Sequence, residues 1–402
     1  DELGAGPVAL ARARRAQTAR SLLVGTDLPV TEVAFAAGFG SVRQFNDTMR
    51  GVFDARPGEL RALGHPARSG TGSGAAGAAV RLDLDLPVRQ PFDAVGVFGF
   101  LAARAVAGIE VAHIDSPSSL GYARTLALPH GPGAIDVAAT HGPAGWQLRL
   151  RLEVESLADV APAVARVRRL LDLDADPVAI DAALSEDPQM SPLVARAPGM
   201  RVPGAVEPFE LVVRAVVGQQ ISVARATAHL DRLVAVAGRR WASGIPGLDR
   251  LFPTPEEILE HIPVPVDGEP LDPDRPLRLP SRSVRAVISC ARAVLDETLH
   301  LHVGADADAL RAQLVAVPGI GPWTAAYVTM RVLGDPDAWL PGDVALVAGA
   351  RAAGILPLEM SKGAAHRALA ERATLWSPWR SHAVMHLWRA AAAPRPTEGA
   401  TP

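Results

Sequence analysis

Asp343 ends the run Leu340-Pro341-Gly342-Asp343; Trp323 stands twenty residues before it, with Tyr327 four residues after Trp323. An Asp ahead of the apolar segment Val344-Ala345-Leu346-Val347 is a helix N-cap candidate. The same placement gives a carboxylate a fixed direction, so Asp343 could also face a developing positive charge or take a proton from an attacking water. The two readings are compatible. Residues four apart share a helix face, and a Trp/Tyr pair at that spacing is commonly core. Only 4% of the 402 residues are aromatic, however, so this pair stands out as pocket lining. Lys362 is the single Lys among 40 Lys and Arg residues, which excludes almost any Lys Schiff-base chemistry. A lone Cys290 excludes an internal disulfide, a Cys-based zinc site and a four-Cys iron-sulfur cluster. His382 and His386 have metal-ligand spacing without a third ligand nearby, so no metal is expected from side chains.

Two helices and a tight turn must position these residues. The stretch Leu314 to Asp343 runs from a helical segment into Pro318-Gly319-Ile320-Gly321 and then into a second helical segment, Trp323 to Leu333. Gly319 and Gly321 permit positive φ and close approach of another backbone, and Pro322 suits the first turn of a helix. Such a turn is either a plain connection between helices or a grip on a DNA backbone, with the amides opening the second helix aimed at a phosphate oxygen. Net charge is -3 with no basic block, so bulk electrostatics do not announce a nucleic-acid partner and the case rests on motifs. The stretch resembles the helix-hairpin-helix motif, Gly/Pro-rich loop and catalytic Asp of the DNA glycosylase superfamily.

At 402 residues the whole chain is long enough for about two to four domains. Residues 1 to 63 read as short helices: Leu10 to Val24, then Val30 to Ala37 after the start Asp27-Leu28-Pro29-Val30-Thr31-Glu32, then a helix from Ser41 through Val52 after Gly38-Phe39-Gly40. Helix, Gly-containing turn and capped helix form the helix-turn-helix pattern, or a helical hairpin with no DNA role. Residues 18 to 63, with the GF-x-S-x-x-x-F core and F-x-x-x-P-x-x-x-R tail, resemble the second helix-turn-helix of AraC-type regulators. The resemblance makes Ser41 to Val52 the recognition helix, with Ser41, Val42, Arg43, Asn46 and Arg50 toward DNA and Phe45, Met49 and Phe53 inward. Asp1 to Arg20 then resembles the tail of a first such module, so an N-terminal truncation is expected.

Gly64 to Ala79 reads as a flexible linker by composition. Val80 to Leu86 and Gln147 to Val154 alternate strictly, and Phe92 to Ala107 between them reads as a helix, which predicts a small antiparallel sheet with a helix on one face. The segment QPFDAVGVFGFLAARAVAGIE resembles the N-terminal domain of AlkA-type 3-methyladenine DNA glycosylases, a resemblance that continues through nearly all the remaining chain. From Ser156 to about Ala392 the pattern is helical. Phe209 to Ala237 gives one or two helices punctuated at Gly218-Gln219-Gln220-Ile221-Ser222. Pro263 to Pro280 reads as a surface loop, Ser281 to Leu295 as a helix, and a last helix holds Trp376, Trp379 and Trp388, the first two as core. The expected fold is therefore multidomain and mainly α. It comprises an AraC-type helix-turn-helix (1–63), a linker (64–79), a small α+β AlkA N-terminal domain (80–155), an all-α helix-hairpin-helix glycosylase domain (156–392) and a tail (393–402).

Resemblance to AlkA implies a catalytic Asp343 and a base pocket of Phe100, Trp323, Tyr327 and Trp388. Gln220 stands at the wedge position, where the enteric AlkA pattern has Leu, beside Gln219. Pro318, Gly319 and Gly321 hold the DNA backbone, and the carbonyls of Val315, Val317 and Ile320 hold a monovalent cation, Na+ or K+. Pro322 and Gly342 replace the Arg and Asp of the enteric pattern. Bifunctional members carry a Lys where Trp323 stands, so base release without strand cleavage is expected. No cofactor is required. The substrate implied is double-stranded DNA containing alkylated purines such as 3-methyladenine and 7-methylguanine, with promoter DNA as the partner of the helix-turn-helix. The expected protein is a monomer, cytoplasmic and nucleoid-associated, since neither a signal peptide nor a spanning apolar run is seen. Two alternatives stand beside this reading: a regulator of the alkylation response with an inactive glycosylase domain, or a glycosylase for uncharged lesions. Longer members of the fusion family begin with a Cys-rich methyl-accepting zinc domain, which these residues do not contain.

Overall fold

The computed structural model describes residues 7–25, 28–62, 80–266, 270 and 272–392. The expected linker and tail, and Asp27 of the expected helix start, lie outside the described residues. The chain groups into two units, one of residues 1–88, 107–167 and 240–251, the other of residues 89–106, 168–239 and 252–402.

In the first unit, α1 (Pro7–Gly25), α2 (Val30–Ala36), α3 (Val42–Phe53) and α4 (Pro57–Ala62) form the helix-turn-helix region. Gly38, at φ 81°, makes the turn after α2. Ser41 then caps α3, its hydroxyl accepting from the Gln44 amide at 3.2 Å. Phe45 and Met49 are fully buried, and Phe39 meets Phe45 edge-on at 5.4 Å. Ser41, Arg43 and Arg50 are exposed, and Val42 and Asn46 partly so. The amphipathic spacing thus leaves one face of α3 open, as its sequence predicts.

The same unit holds a five-stranded antiparallel sheet of order β1-β5-β4-β3-β2. Its strands are β1 (Val80–Leu86), β2 (Glu110–Ser116), β3 (Ser119–Leu128), β4 (Gly131–Gly142) and β5 (Gly145–Val154). Alternation fixes the register: Leu82 pairs with Leu152 and Leu84 with Leu150, while Arg149 and Arg151 reach Asp85 and Asp83 on the exposed face. The helix expected over 92–107 is shorter, Ala94–Ala102, and its segment groups with the helical unit rather than with the sheet. Asp93, overlooked as a cap, starts this helix by accepting from the Gly96 amide at 3.0 Å.

The second unit is helical. The stretch 209–237 resolves into two helices, Pro208–Val217 and Val223–Ala237. Ser281–Leu295 is one helix, as its spacing predicts. The hairpin joins Ala307–Ala316 to Pro322–Leu333, and Val344–Ala352 follows the Pro/Gly loop. The last helix, Arg380–Ala392, contains Trp388 alone of the three tryptophans expected there. Trp376 lies earlier, in a 3-10 turn, 1% exposed, and Trp379 between the two is half-buried. The core of this unit packs Ala326, Met330, Leu340, Leu346, Val384 and Leu387 together. At Gly349 a Cβ would sit 1.9 Å from the Leu387 carbonyl oxygen. Only glycine permits this crossing of the Asp343 helix and the Trp388 helix.

Candidate functional site

The hairpin turn is built on one positive-φ residue. Gly319 has φ 92°, and a Cβ there would come within 2.5 Å of the Ala286 Cβ. Gly321, expected to share that freedom, instead has φ −95° and precedes the second hairpin helix, with Pro322 inside its first turn. The Gln219 side chain ties the preceding loop to this turn, donating to the Gly319 carbonyl at 3.2 Å and the Thr324 hydroxyl at 3.1 Å. Gln220 is exposed in left-handed backbone at φ 60°, its side-chain carbonyl accepting from Arg282 at 3.0 Å. The Val317 carbonyl accepts from the Ile320 amide at 3.1 Å within the turn, and a second lone pair remains on that oxygen.

Trp323 and Tyr327 stack at 5.3 Å with rings 6° from parallel, and the Trp388 ring is 6.2 Å from Tyr327. Asp343 faces them. One carboxylate oxygen accepts from the Ala345 and Leu346 amides at 2.7 and 3.1 Å, which caps the helix. The other accepts from the Trp323 indole at 2.9 Å and the Trp388 indole at 3.2 Å. Cap and candidate site residue are therefore one carboxylate, held at 7% exposure by four neutral N–H donors. Gly342 before it has φ 74° and open space around its Cα, so the loop turns there without crowding the carboxylate.

Phe100 belongs to the same unit, and its ring is covered by the Arg104 guanidinium at 3.7 Å. Arg331 stands 4.9 Å from the Phe100 ring and donates to the Tyr327 hydroxyl at 2.6 Å. Burial alone would raise the Tyr327 phenol, but Arg331, Arg104 and Arg214 outweigh it and lower its pKa. All three arginines escaped the sequence reading. The signal was present for Arg331, which continues the i, i+4 series of Trp323 and Tyr327 as a charged residue on an otherwise apolar face. Cys290 is no nucleophile, since burial pushes its thiol up to about 12. Among the described residues no group of three His, Cys, Asp or Glu side chains could hold a metal ion, and no helix is long and apolar enough to cross a membrane.

A helix hairpin, an Asp at the following helix start and an aromatic cleft together define a helix-hairpin-helix architecture of the DNA glycosylase type. The AlkA N-terminal domain model matches residues 83–207, and a helix-turn-helix domain model matches residues 1–62. A Mycobacterium tuberculosis protein named "Probable bifunctional transcriptional activator/DNA repair enzyme AlkA" is 43% identical over 386 residues, covering 96% of this chain and 72% of that protein. DNA-3-methyladenine glycosylase 2 of Escherichia coli is 32% identical over 305 residues, covering 75% of this chain and 94% of its own. Among solved structures, a 3-methyladenine DNA glycosylase from Archaeoglobus fulgidus has a TM-score of 0.60 at 19% identity, covering 76% of this chain and 97% of that one, a likeness of fold. The chain belongs to the AlkA family of DNA glycosylases, with a helix-turn-helix module at its N-terminal side.

Proposed function

We propose that this chain is a monofunctional DNA glycosylase of base excision repair. It hydrolyses the N-glycosidic bond of alkylated purines, 3-methyladenine and 7-methylguanine, in double-stranded DNA. The observation that carries this reading is the Asp343 carboxylate, which is aimed by two indoles and two amides and has no cationic partner among the described residues. Beside a flipped nucleotide, such a carboxylate stabilises the oxocarbenium-like sugar as the base departs and orients the water that replaces it. An alkylated purine is already cationic and leaves as a neutral base, so the general acid of two-carboxylate glycosidases is not required. Trp323, Tyr327 and Trp388 stack on the base, a contribution of roughly 1 to 3 kcal/mol. Gln220, exposed on its loop, fills the gap in the duplex, and Gln219 braces that loop.

The hairpin at Pro318, Gly319 and Gly321 receives a backbone phosphate, and the carbonyls of Val315, Val317 and Ile320 face a Na+ or K+ ion. Nothing among the described residues supports a lyase step: Trp323 occupies the position where a Schiff-base Lys would stand, and Lys362 opens a different helix, Lys362–Arg372. Ser41 at the cap of α3 and Val42, Arg43, Asn46 and Arg50 on it read promoter DNA. We assign the functional divisions as 1–63, 64–79, 80–155, 156–392 and 393–402, in a cytoplasmic monomer. The test is Asp343→Asn on a methylated duplex, scored as abasic sites. Undiminished release of 3-methyladenine would overturn the assignment, and a borohydride-trapped protein–DNA adduct would overturn the absence of lyase chemistry.

A further inference from the structure

Within the loop 218–222, Gln220 alone has a positive φ, 60°, and its side chain is exposed. A residue with a Cβ enters that region at a cost and stays there where its surroundings over-determine it. Two contacts do so here. Gln219 beside it is tied to the hairpin through the Gly319 carbonyl at 3.2 Å and the Thr324 hydroxyl at 3.1 Å. Gln220 is itself held by Arg282, which donates to its side-chain carbonyl at 3.0 Å. Arg282 is the second residue of the helix Ser281–Leu295, and its own carbonyl oxygen lies 3.8 Å from where a Cβ on Gly319 would stand. Loop tip, helix start and hairpin turn are thus one packed corner. The Arg282 bond also fixes which end of the amide is occupied. A guanidinium only donates, so the atom it holds must be the carbonyl oxygen. The Gln220 amino group is left with two N–H donors that meet no acceptor among the described residues.

We infer that Arg282 sets Gln220 to read the base opposite the flipped nucleotide, with a preference for cytosine. The inference rests on the proposed reading of Gln220 as the group that fills the gap in the duplex. An amide free to turn offers a donor or an acceptor and discriminates little. Locked by a charge-assisted bond at its oxygen, it offers donors alone. Cytosine is the one base whose pairing edge carries two adjacent acceptors, N3 and O2, and one amino group can donate to both. Thymine places its N3–H donor between two carbonyls, and guanine and adenine each set a donor beside their acceptor, so each of the three opposes a donor pair. Arg282 touches neither base in this scheme and is a positioning residue. The consequence for substrate choice is direct: 7-methylguanine stands opposite cytosine and 3-methyladenine opposite thymine, so the loop favours lesions derived from guanine.

The test is equilibrium binding of the full chain to duplexes carrying one tetrahydrofuran abasic analogue opposite cytosine, thymine, adenine or guanine. With no base on the lesion strand, pairing strength cannot bias the comparison. The wild-type chain should bind the cytosine duplex about ten-fold more tightly than the thymine duplex. Arg282→Lys, which still donates, should keep that ratio, while Arg282→Met and Gln220→Met should bring it near one. If Arg282 only contacts a phosphate, Arg282→Met weakens all four duplexes alike and the ratio stands, which overturns the inference. Equal binding of the wild-type chain to all four, or binding to none, overturns it too. Release of 7-methylguanine, scored separately, keeps the outcome apart from the glycosylase reading. Release without an opposite-base preference sinks the inference alone, whereas a cytosine preference without release sinks the catalytic reading of Asp343 and leaves the inference standing.

Discussion

Two carboxylates in the helical unit accept from an indole, and they do opposite work. Asp187 receives the Trp376 indole at 2.9 Å, the Gln189 amide at 2.9 Å and both ends of the Arg372 guanidinium. Asp343 receives two indoles and two amides and no guanidinium. Burial would raise the Asp187 carboxyl, but Arg372 and the other donors outweigh it and hold it below the usual carboxylate range. Its charge is consumed by the ion pair. Four neutral donors fix Asp343 equally well and leave its negative field unbalanced, which is what a developing positive charge needs. The partner's charge, more than burial or hydrogen-bond count, separates the structural acid from the one we assign to catalysis.

Substitution tests this contrast most strongly at Asp343 itself. Asn keeps a capping oxygen but turns its amide N–H toward the two indole donors, so Asp343→Asn should slow base release by about 100- to 1,000-fold and cost roughly 1 to 3 kcal/mol of stability, with the chain still folded under assay conditions. An equal loss of folding would erase the distinction. Asp187→Asn should do the reverse, costing about 2 to 3 kcal/mol in urea unfolding because Arg372 loses its ion pair, with base release intact below the transition.

Next in size is a pH effect carried by His386 on the Trp388 helix. Burial, then the charges of His382 and Arg389, lower it to about 3. The unfolded chain binds this proton below its ordinary value near 6.5 and the folded chain does not, so stability is full above that value and falls as pH drops toward 3. Between pH 7 and 5 the loss should be roughly 2 kcal/mol. His386→Leu should flatten that limb, as read by denaturant midpoints across the range. The smallest effect is expected for Trp323→Phe, which keeps a stacked ring but removes one donor from Asp343. Release should fall about ten-fold, the equivalent of one hydrogen bond of roughly 1.4 kcal/mol to a charged group. No change would mean that Trp388 alone suffices to aim the carboxylate.

The hairpin, the cap at Asp343 and the Ser41 cap were legible because Gly, Pro, Ser and Asp act on their own neighbours. The pairing of Trp323 and Trp388 with one carboxylate oxygen was not, since it joins residues 20 and 45 positions from Asp343 through helix packing. The same limit hid Trp376 on Asp187, so spacing could not rank the two indole–carboxylate pairs. The over-long helix at 92–107 has a local cause. No Gly marks its end, and its segment closes where Arg104 turns back to the Phe100 carbonyl and ring. Family resemblance placed Phe100 in the pocket but said nothing of the guanidinium that covers it.

Gly349 touches none of the groups assigned to chemistry, yet the absent side chain there works as a ruler. It sets the spacing between the helix that Asp343 caps and the helix that carries Trp388, and thus the reach of one indole to that carboxylate. A single methyl at 349 would lengthen that reach without altering any lining residue. Variation in pocket width within such a scaffold can therefore be tuned from behind, at a position that a survey of substrate contacts would pass over.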